Sequence, residues 1–221
     1  MIGIHQPNYL PWLGFFDKAR AVDTFVLLDT VPYTRGSVIN RNRIKTKNGG
    51  QWITVPTHRV SGTTIRDTLT ADTNWESDHW KTLVCNYSGA KHFHDFAPAI
   101  QEVYAKRWVR LAKLNETLIR LVLNSLGFHP RIVRASDLGV EGKSSMLLAR
   151  ICKALGEREY LSGVGAKEYL DLDLFRREGI SVKFQRFVEP VYLQLFGEFI
   201  SNLSVVDYLF NCGATEWSHG A

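Results

Sequence analysis

The chain opens with a short apolar run, Met1 to Ile4, that breaks at His5-Gln6-Pro7. A run of that length, closed by a proline, predicts a buried strand entering a loop. From Leu13 to Val22 the spacing becomes helical, with Leu13, Phe16 and Ala19 on related faces. Thr24 to Asp29 then reads as a strand of the kind buried on both sides. Strand, loop, helix and strand within about thirty residues predict a βαβ unit and a parallel sheet. In an open parallel sheet the ligand crevice lies at the carboxyl ends of the strands, so His5 and Asp29 are expected to face it.

Further along, Gln51 to Val55 is strand-like, and Lys47-Asn48-Gly49-Gly50-Gln51 predicts a hairpin turn. Helical spacing returns from Trp75 to Tyr87 and again from Ala97 to Leu126, with an interruption near Trp108 and a stop at Gly127. The last third alternates: strands at Pro130–Val133, Glu159–Gly163 and Ile180–Phe184, helices at Ser144–Leu155, Gly165–Arg177 and Leu203–Asn211. The pattern predicts an α/β fold, a mostly parallel sheet core with a helical insertion at about residues 75–126. One domain is expected to span residues 1–221.

Composition narrows the class. Hydrophobic residues at 45% and charged residues at 22% exclude disorder. No apolar run approaches the ~20 residues of a membrane span, and no basic-then-apolar leader opens the chain. Three cysteines in no close pairing pattern argue against a disulfide scaffold and make a reducing cytoplasm the expected compartment. The net charge of +5 fits an acidic partner, whether nucleic acid, a nucleotide-sugar or an acidic carrier protein. No nucleic-acid module or dense basic stripe is present, so nucleic acid is not expected.

Several chemistries fail on their residues. The loop after the first strand sits where adenylyl-transferring enzymes carry H-x-G-H, but those histidines are missing. Gly142-Lys143-Ser144-Ser145 has the tail of a phosphate loop with Asp137 at its upstream glycine position. Gly163-Val164-Gly165 carries Glu168 at the third glycine position of the dinucleotide fingerprint. His92-Phe93-His94 can put two imidazoles on one face of a strand, yet no third ligand at metal spacing accompanies them, so loop histidines and no metal are expected. There is no Gly-x-Ser-x-Gly elbow.

The cysteines differ by context. Cys152 lies in an apolar helical pattern and reads as a buried thiol. Cys212 falls at a helix end, where the dipole has the wrong sign for a thiolate. Cys85 has His79, Lys81 and Asn86 near it in sequence and is the candidate nucleophile. His79 stands six residues away, which is not one helical face, so His5 is the first choice of base and His79 the alternative. Glu189 is the best-placed acid to orient the imidazole, with a solvated surface carboxylate as its other reading. Gln6, Tyr9, Asp29 and Gly163 are the expected substrate contacts. The basic stretch Arg35, Arg41, Arg43, Lys45 and Lys47, interleaved with Tyr33 and Trp52, reads either as a solvated face or as a dock for an acidic partner.

The segments His5-Gln6-Pro7-Asn8-Tyr9-Leu10-Pro11-Trp12-Leu13-Gly14, Asn40-Arg41-Asn42-Arg43-Ile44-Lys45-Thr46, Tyr160-Leu161-Ser162-Gly163, Pro190-Val191-Tyr192-Leu193-Gln194 and Leu203-Ser204-Val205-Val206-Asp207 resemble the WbqC-like family over nearly the whole chain. Within it the sequence looks most like the amide synthetases of lincosamide antibiotic biosynthesis. That resemblance implies ATP-independent transfer of a proline-type aminoacyl group from a carrier-protein thioester to the amine of an aminosugar. No cofactor is implied beyond the phosphopantetheine that the carrier supplies. The expected route is a Cys85–His5–Glu189 triad with an acyl-cysteine intermediate. The alternatives are direct attack on the thioester and a non-catalytic nucleotide-sugar-binding protein of surface-glycan assembly.

Overall fold

Five parallel strands form the sheet of the computed structural model, which describes residues 1–58 and 60–215. They are β1 (Ile2–His5), β2 (Thr24–Leu27), β5 (Arg131–Arg134), β6 (Glu159–Ser162) and β7 (Ser181–Phe184), in the order β5-β2-β1-β6-β7. Ile2 pairs with Thr24 on one side and Tyr160 on the other. The chain therefore winds outward from β1 in one direction, then returns to the other side of β1 and winds outward again. This is the doubly wound arrangement, and its direction reverses between β1 and β6.

Helices cover both faces because the central strands β1, β2 and β6 are buried on both. Against Phe25 and Leu27 pack α1 (Leu13–Arg20), α4 (Leu111–Ser125) and α7 (Val205–Cys212), through Leu13, Phe16, Ile119, Val122 and Leu209. Against Ile2, Ile4, Val26 and Leu28 pack α5 (Ser144–Ala154) and α6 (Leu172–Arg177), through Leu147, Ile151 and Phe175. Helix α7 begins at Ser204, whose hydroxyl accepts the Val206 amide.

The hairpin is β3 (Arg41–Thr46) with β4 (Gly49–Thr54), antiparallel and separate from the sheet. It packs with α2 (Trp75–Tyr87), α3 (Phe93–Tyr104), α4 and α7 around Ile44, Leu83, Tyr87, Ile100, Leu114 and Phe210. Helices α4 and α7 thus belong to two apolar cores at once, tying the helical insertion to the sheet.

Most expected elements appear within a few residues of their predicted ends. The expected helix over 97–126 is two helices, and the break holds Trp108, whose indole donates to the Val103 carbonyl at 2.8 Å. The helix expected at Gly165–Arg177 is a 3-10 turn at Val164–Ala166 followed by α6, because Asp171 caps a fresh start by accepting the Leu174 amide. His92 and His94 lie on no strand: His92 immediately precedes α3, His94 sits in its first turn, and His92 Nδ1 bonds Asp95 at 2.9 Å.

Candidate active site

The chain's reversal beside β1 opens a cleft of about 840 Å³ at the carboxyl ends of β1 and β6. This is where an open parallel sheet leaves room for a ligand, because the loops leaving adjacent strands diverge to opposite faces. His5 and Gln6 line it from β1, Ser162 and Gly163 from β6, Ser144 and Ser145 from α5, and Gln185 from the segment after β7. Trp12, Phe15, Leu147 and Phe187 supply apolar wall.

His5 is fixed in orientation and tautomer. Its Nδ1 lies 2.9 Å from the Gln6 carbonyl, and its ring meets Phe15 edge-on at 4.8 Å. A carbonyl only accepts, so Nδ1 carries the proton and Nε2 keeps the lone pair. Burial, and secondarily the Lys18 charge, pulls His5 down to about 4. The imidazole is neutral at physiological pH and available as a proton acceptor.

Lys18 was not foreseen as a site residue. It lies on the sheet-facing side of α1, three residues after Phe15, and its ammonium donates to the Ile4 carbonyl at 2.7 Å beside the cleft. Burial draws it down to about 7. A lysine beside Asp17 in the largely apolar, buried run Leu13–Ala19 was the available signal. Gln185, also unforeseen, donates from Nε2 to Asp17 at 2.7 Å and to the Gly14 carbonyl at 2.8 Å.

Of the expected substrate contacts, Gln6 and Gly163 line the cleft with His5. Tyr9 does not. It is buried in the helical insertion, where its hydroxyl contacts His79 Nδ1 at 2.7 Å and the Tyr104 hydroxyl. Two prolines and a positive φ at Leu10 turn this part of the loop away from the sheet. Asp29 lines a neighbouring hollow with Arg66, Arg110 and Arg134, and its carboxylate accepts the Ser136 amide at 2.9 Å and hydroxyl at 2.7 Å.

The three members of the expected triad lie in different settings. Cys85 is exposed on α2, on the side away from the buried Trp75, His79, Leu83 and Tyr87, and is not among the residues lining the cleft. A helix buries one face only, and six residues set Cys85 about 120° round the helix from His79. Glu189 is half-buried, its carboxylate accepting the Asn202 amide at 2.9 and 3.0 Å, and burial raises its pKa. The Gln6 carbonyl, rather than a carboxylate, orients His5. His79 is likewise neutral, drawn down to about 4 by burial, and is committed to Tyr9.

The basic stretch is also divided. Arg35 and Lys47 are exposed, and Arg41 stacks on the exposed Trp52 at 4.3 Å with Arg43 at 5.9 Å. Lys45 is 1% exposed, with its ammonium bonded to the carbonyls of Gly197 and Glu198. It holds the segment after β7 and presents nothing to a partner. Among the described residues no group of three His, Cys, Asp or Glu is placed to hold a metal, and no helix is long and apolar enough to cross a membrane.

Fold and cleft together define a doubly wound α/β protein with a cleft at the strand reversal. The chain belongs to the WbqC-like protein family, whose model matches residues 6–219. It is 38% identical over 218 residues to the uncharacterized protein Rv1507c of Mycobacterium tuberculosis, covering 96% of this chain and 94% of that protein. No solved structure matches it.

Proposed function

We propose that the protein is an N-acyltransferase that joins an activated aminoacyl group to an amine, with His5 as the base. The observation that carries this reading is the His5 Nε2 lone pair, set free by the Nδ1 contact with Gln6, on a residue lining the cleft at the strand reversal. The resemblance to the lincosamide-pathway amide synthetases supplies the substrates: a proline-type acyl group on a carrier-protein thioester and an aminosugar acceptor. A cytoplasmic setting, where such carriers work, belongs to the same proposal.

In the reaction the acceptor nitrogen attacks the thioester carbonyl carbon, forming the C–N bond and a tetrahedral adduct. The nitrogen of that adduct is far more acidic than a free ammonium, so a base as weak as His5 takes its proton on Nε2. The C–S bond then breaks, and the departing sulfur receives that proton. The carbonyl is already activated, so no nucleotide is consumed. The exposed position of Cys85 on α2 favours this direct route over an acyl-cysteine.

The test is incubation with aminoacyl-carrier protein and a panel of sugar amines, read by intact mass. Wild type and Cys85→Ala should form the amide, His5→Ala should not, and no acyl-enzyme should accumulate. An acyl adduct on Cys85, with activity lost in Cys85→Ala, would replace the direct route with the covalent one. Absence of product across the panel, with tight nucleotide-sugar binding, would replace the transferase with a binding protein of glycan assembly.

A further inference from the structure

Beside the cleft lies a buried lysine that, among the described residues, no carboxylate pairs with. Lys18 is 2% exposed, and its bonded partner is the Ile4 carbonyl. No aspartate or glutamate is among the residues that line the cleft. The groups facing Lys18 are the neutral His5 of β1 and the Tyr160 ring of β6, whose centre is 5.8 Å from the ammonium. The carboxylate of its neighbour Asp17 is engaged by Gln185 and Arg20. A buried ammonium without a counter-ion is costly to keep charged. An anion entering the cleft would remove that cost.

Two further features face the same space. Helix α5 starts in its wall at Ser144 and Ser145, and first-turn amides have no acceptor within their own helix. Ser162, at the end of β6, is 0% exposed, and its Oγ makes no hydrogen bond of acceptable geometry among the described residues. The Tyr160 hydroxyl is nonetheless near enough to feel it. The seat that phosphates take in many doubly wound sheets, at the start of the first helix, is closed here. The Trp12 ring lies over Gly14 so closely that a Cβ there would sit 2.4 Å from it.

We propose that the ligand of this cleft carries a phosphate ester whose oxyanion pairs with the Lys18 ammonium. The proposal rests on the reading that the cleft is the substrate site and names the charged part of what enters it. An ammonium, a buried hydroxyl and free helix amides are three kinds of donor, and the terminal oxygens of a phosphate can use all of them. The phosphate has two possible sources, a phosphopantetheine arm and a nucleoside diphosphate.

Calorimetric titration at about pH 8 separates them, with 4′-phosphopantetheine against pantetheine and uridine diphosphate against uridine. One phosphorylated ligand should bind roughly tenfold or more tighter than its uncharged control. The pair showing the difference identifies the source. The difference should vanish in Lys18→Met and persist in His5→Ala, which separates anion binding from the transfer chemistry. Binding should also take up a proton, because the empty site leaves Lys18 largely neutral at that pH and the anion recharges it. Titration of the wild type in two buffers of different ionisation heat measures this uptake even if Lys18→Met does not fold. Equal affinities within both pairs, or binding without proton uptake, would overturn the proposal.

Discussion

The Tyr9 hydroxyl donates to His79 Nδ1 across 2.7 Å, joining the first loop of the sheet to the first helix of the insertion. The Thr54 backbone of the hairpin is a further hydrogen-bonding partner of His79. The Tyr104 hydroxyl hydrogen-bonds the Tyr9 hydroxyl in turn. Four chain segments thus converge on one buried polar chain. Tyr9→Phe would leave His79 Nδ1 and the Tyr104 hydroxyl without the hydroxyl they share, at a cost of about 1–3 kcal/mol. Urea unfolding should show this as a lower midpoint with an unchanged slope.

His5 and His79 also set how stability responds to acid. His5 and His79 are each held near 4, against about 6.5 in an unfolded chain. As pH falls below ~6.5 the unfolded chain takes up protons that the native state refuses, so stability declines, and this loss is complete near pH 4. The urea midpoint should therefore drop across that interval. Nitrogen chemical shifts at about pH 5.5 should show both rings neutral; a protonated ring there would refute the assignment.

The thiols should react in a fixed order. Cys85 is exposed, whereas burial pushes Cys152 up to about 12 and Cys212 up to about 11. A colorimetric thiol reagent should titrate Cys85 promptly in the native protein and Cys152 only on unfolding. Cys85→Ala should remove the fast phase and change stability by less than ~0.5 kcal/mol. A fast phase that survives the substitution would show that another thiol is accessible.

Charge on the hairpin divides into structural and surface roles. Lys45→Met should cost about 1–3 kcal/mol, because the charged hydrogen bonds from a buried lysine to the Gly197 and Glu198 carbonyls are lost. Replacing exposed Arg35 and Lys47 by Glu should leave stability within ~0.5 kcal/mol and weaken binding of an acidic carrier protein. Biolayer interferometry beside thermal melts distinguishes the two. Unchanged carrier affinity in the double variant would move the docking surface elsewhere.

The sheet was legible because buried parallel strands and their crossover helices leave strong local signals: β1, α1, β2 and α2 follow directly from apolar spacing. His5 was legible for the same reason, since a strand end fixes its place. What spacing does not carry is which way a loop turns. Tyr9 and His5 are four residues apart, yet one lies in the helical core and the other at the cleft. Lys45 looked like its exposed neighbours because alternation along a hairpin says nothing about the segment that later folds over it. The settings of Cys85 and Glu189 were less legible: helical phase turns Cys85 outward, and sequence separation alone gave no sign of where Glu189 would lie. Lys18 was not singled out from the sequence, because its meaning needed the cleft beside it.

The absence of acidic side chains among the residues lining the cleft makes it a filter as well as a container. An amine arriving as an ammonium finds a buried lysine and a neutral imidazole, neither of which welcomes positive charge. If the cleft takes the amine acceptor proposed above, only its small unprotonated fraction would enter in reactive form. Selection among amines would then follow their own basicity, with weakly basic amines favoured over strongly basic ones of the same shape.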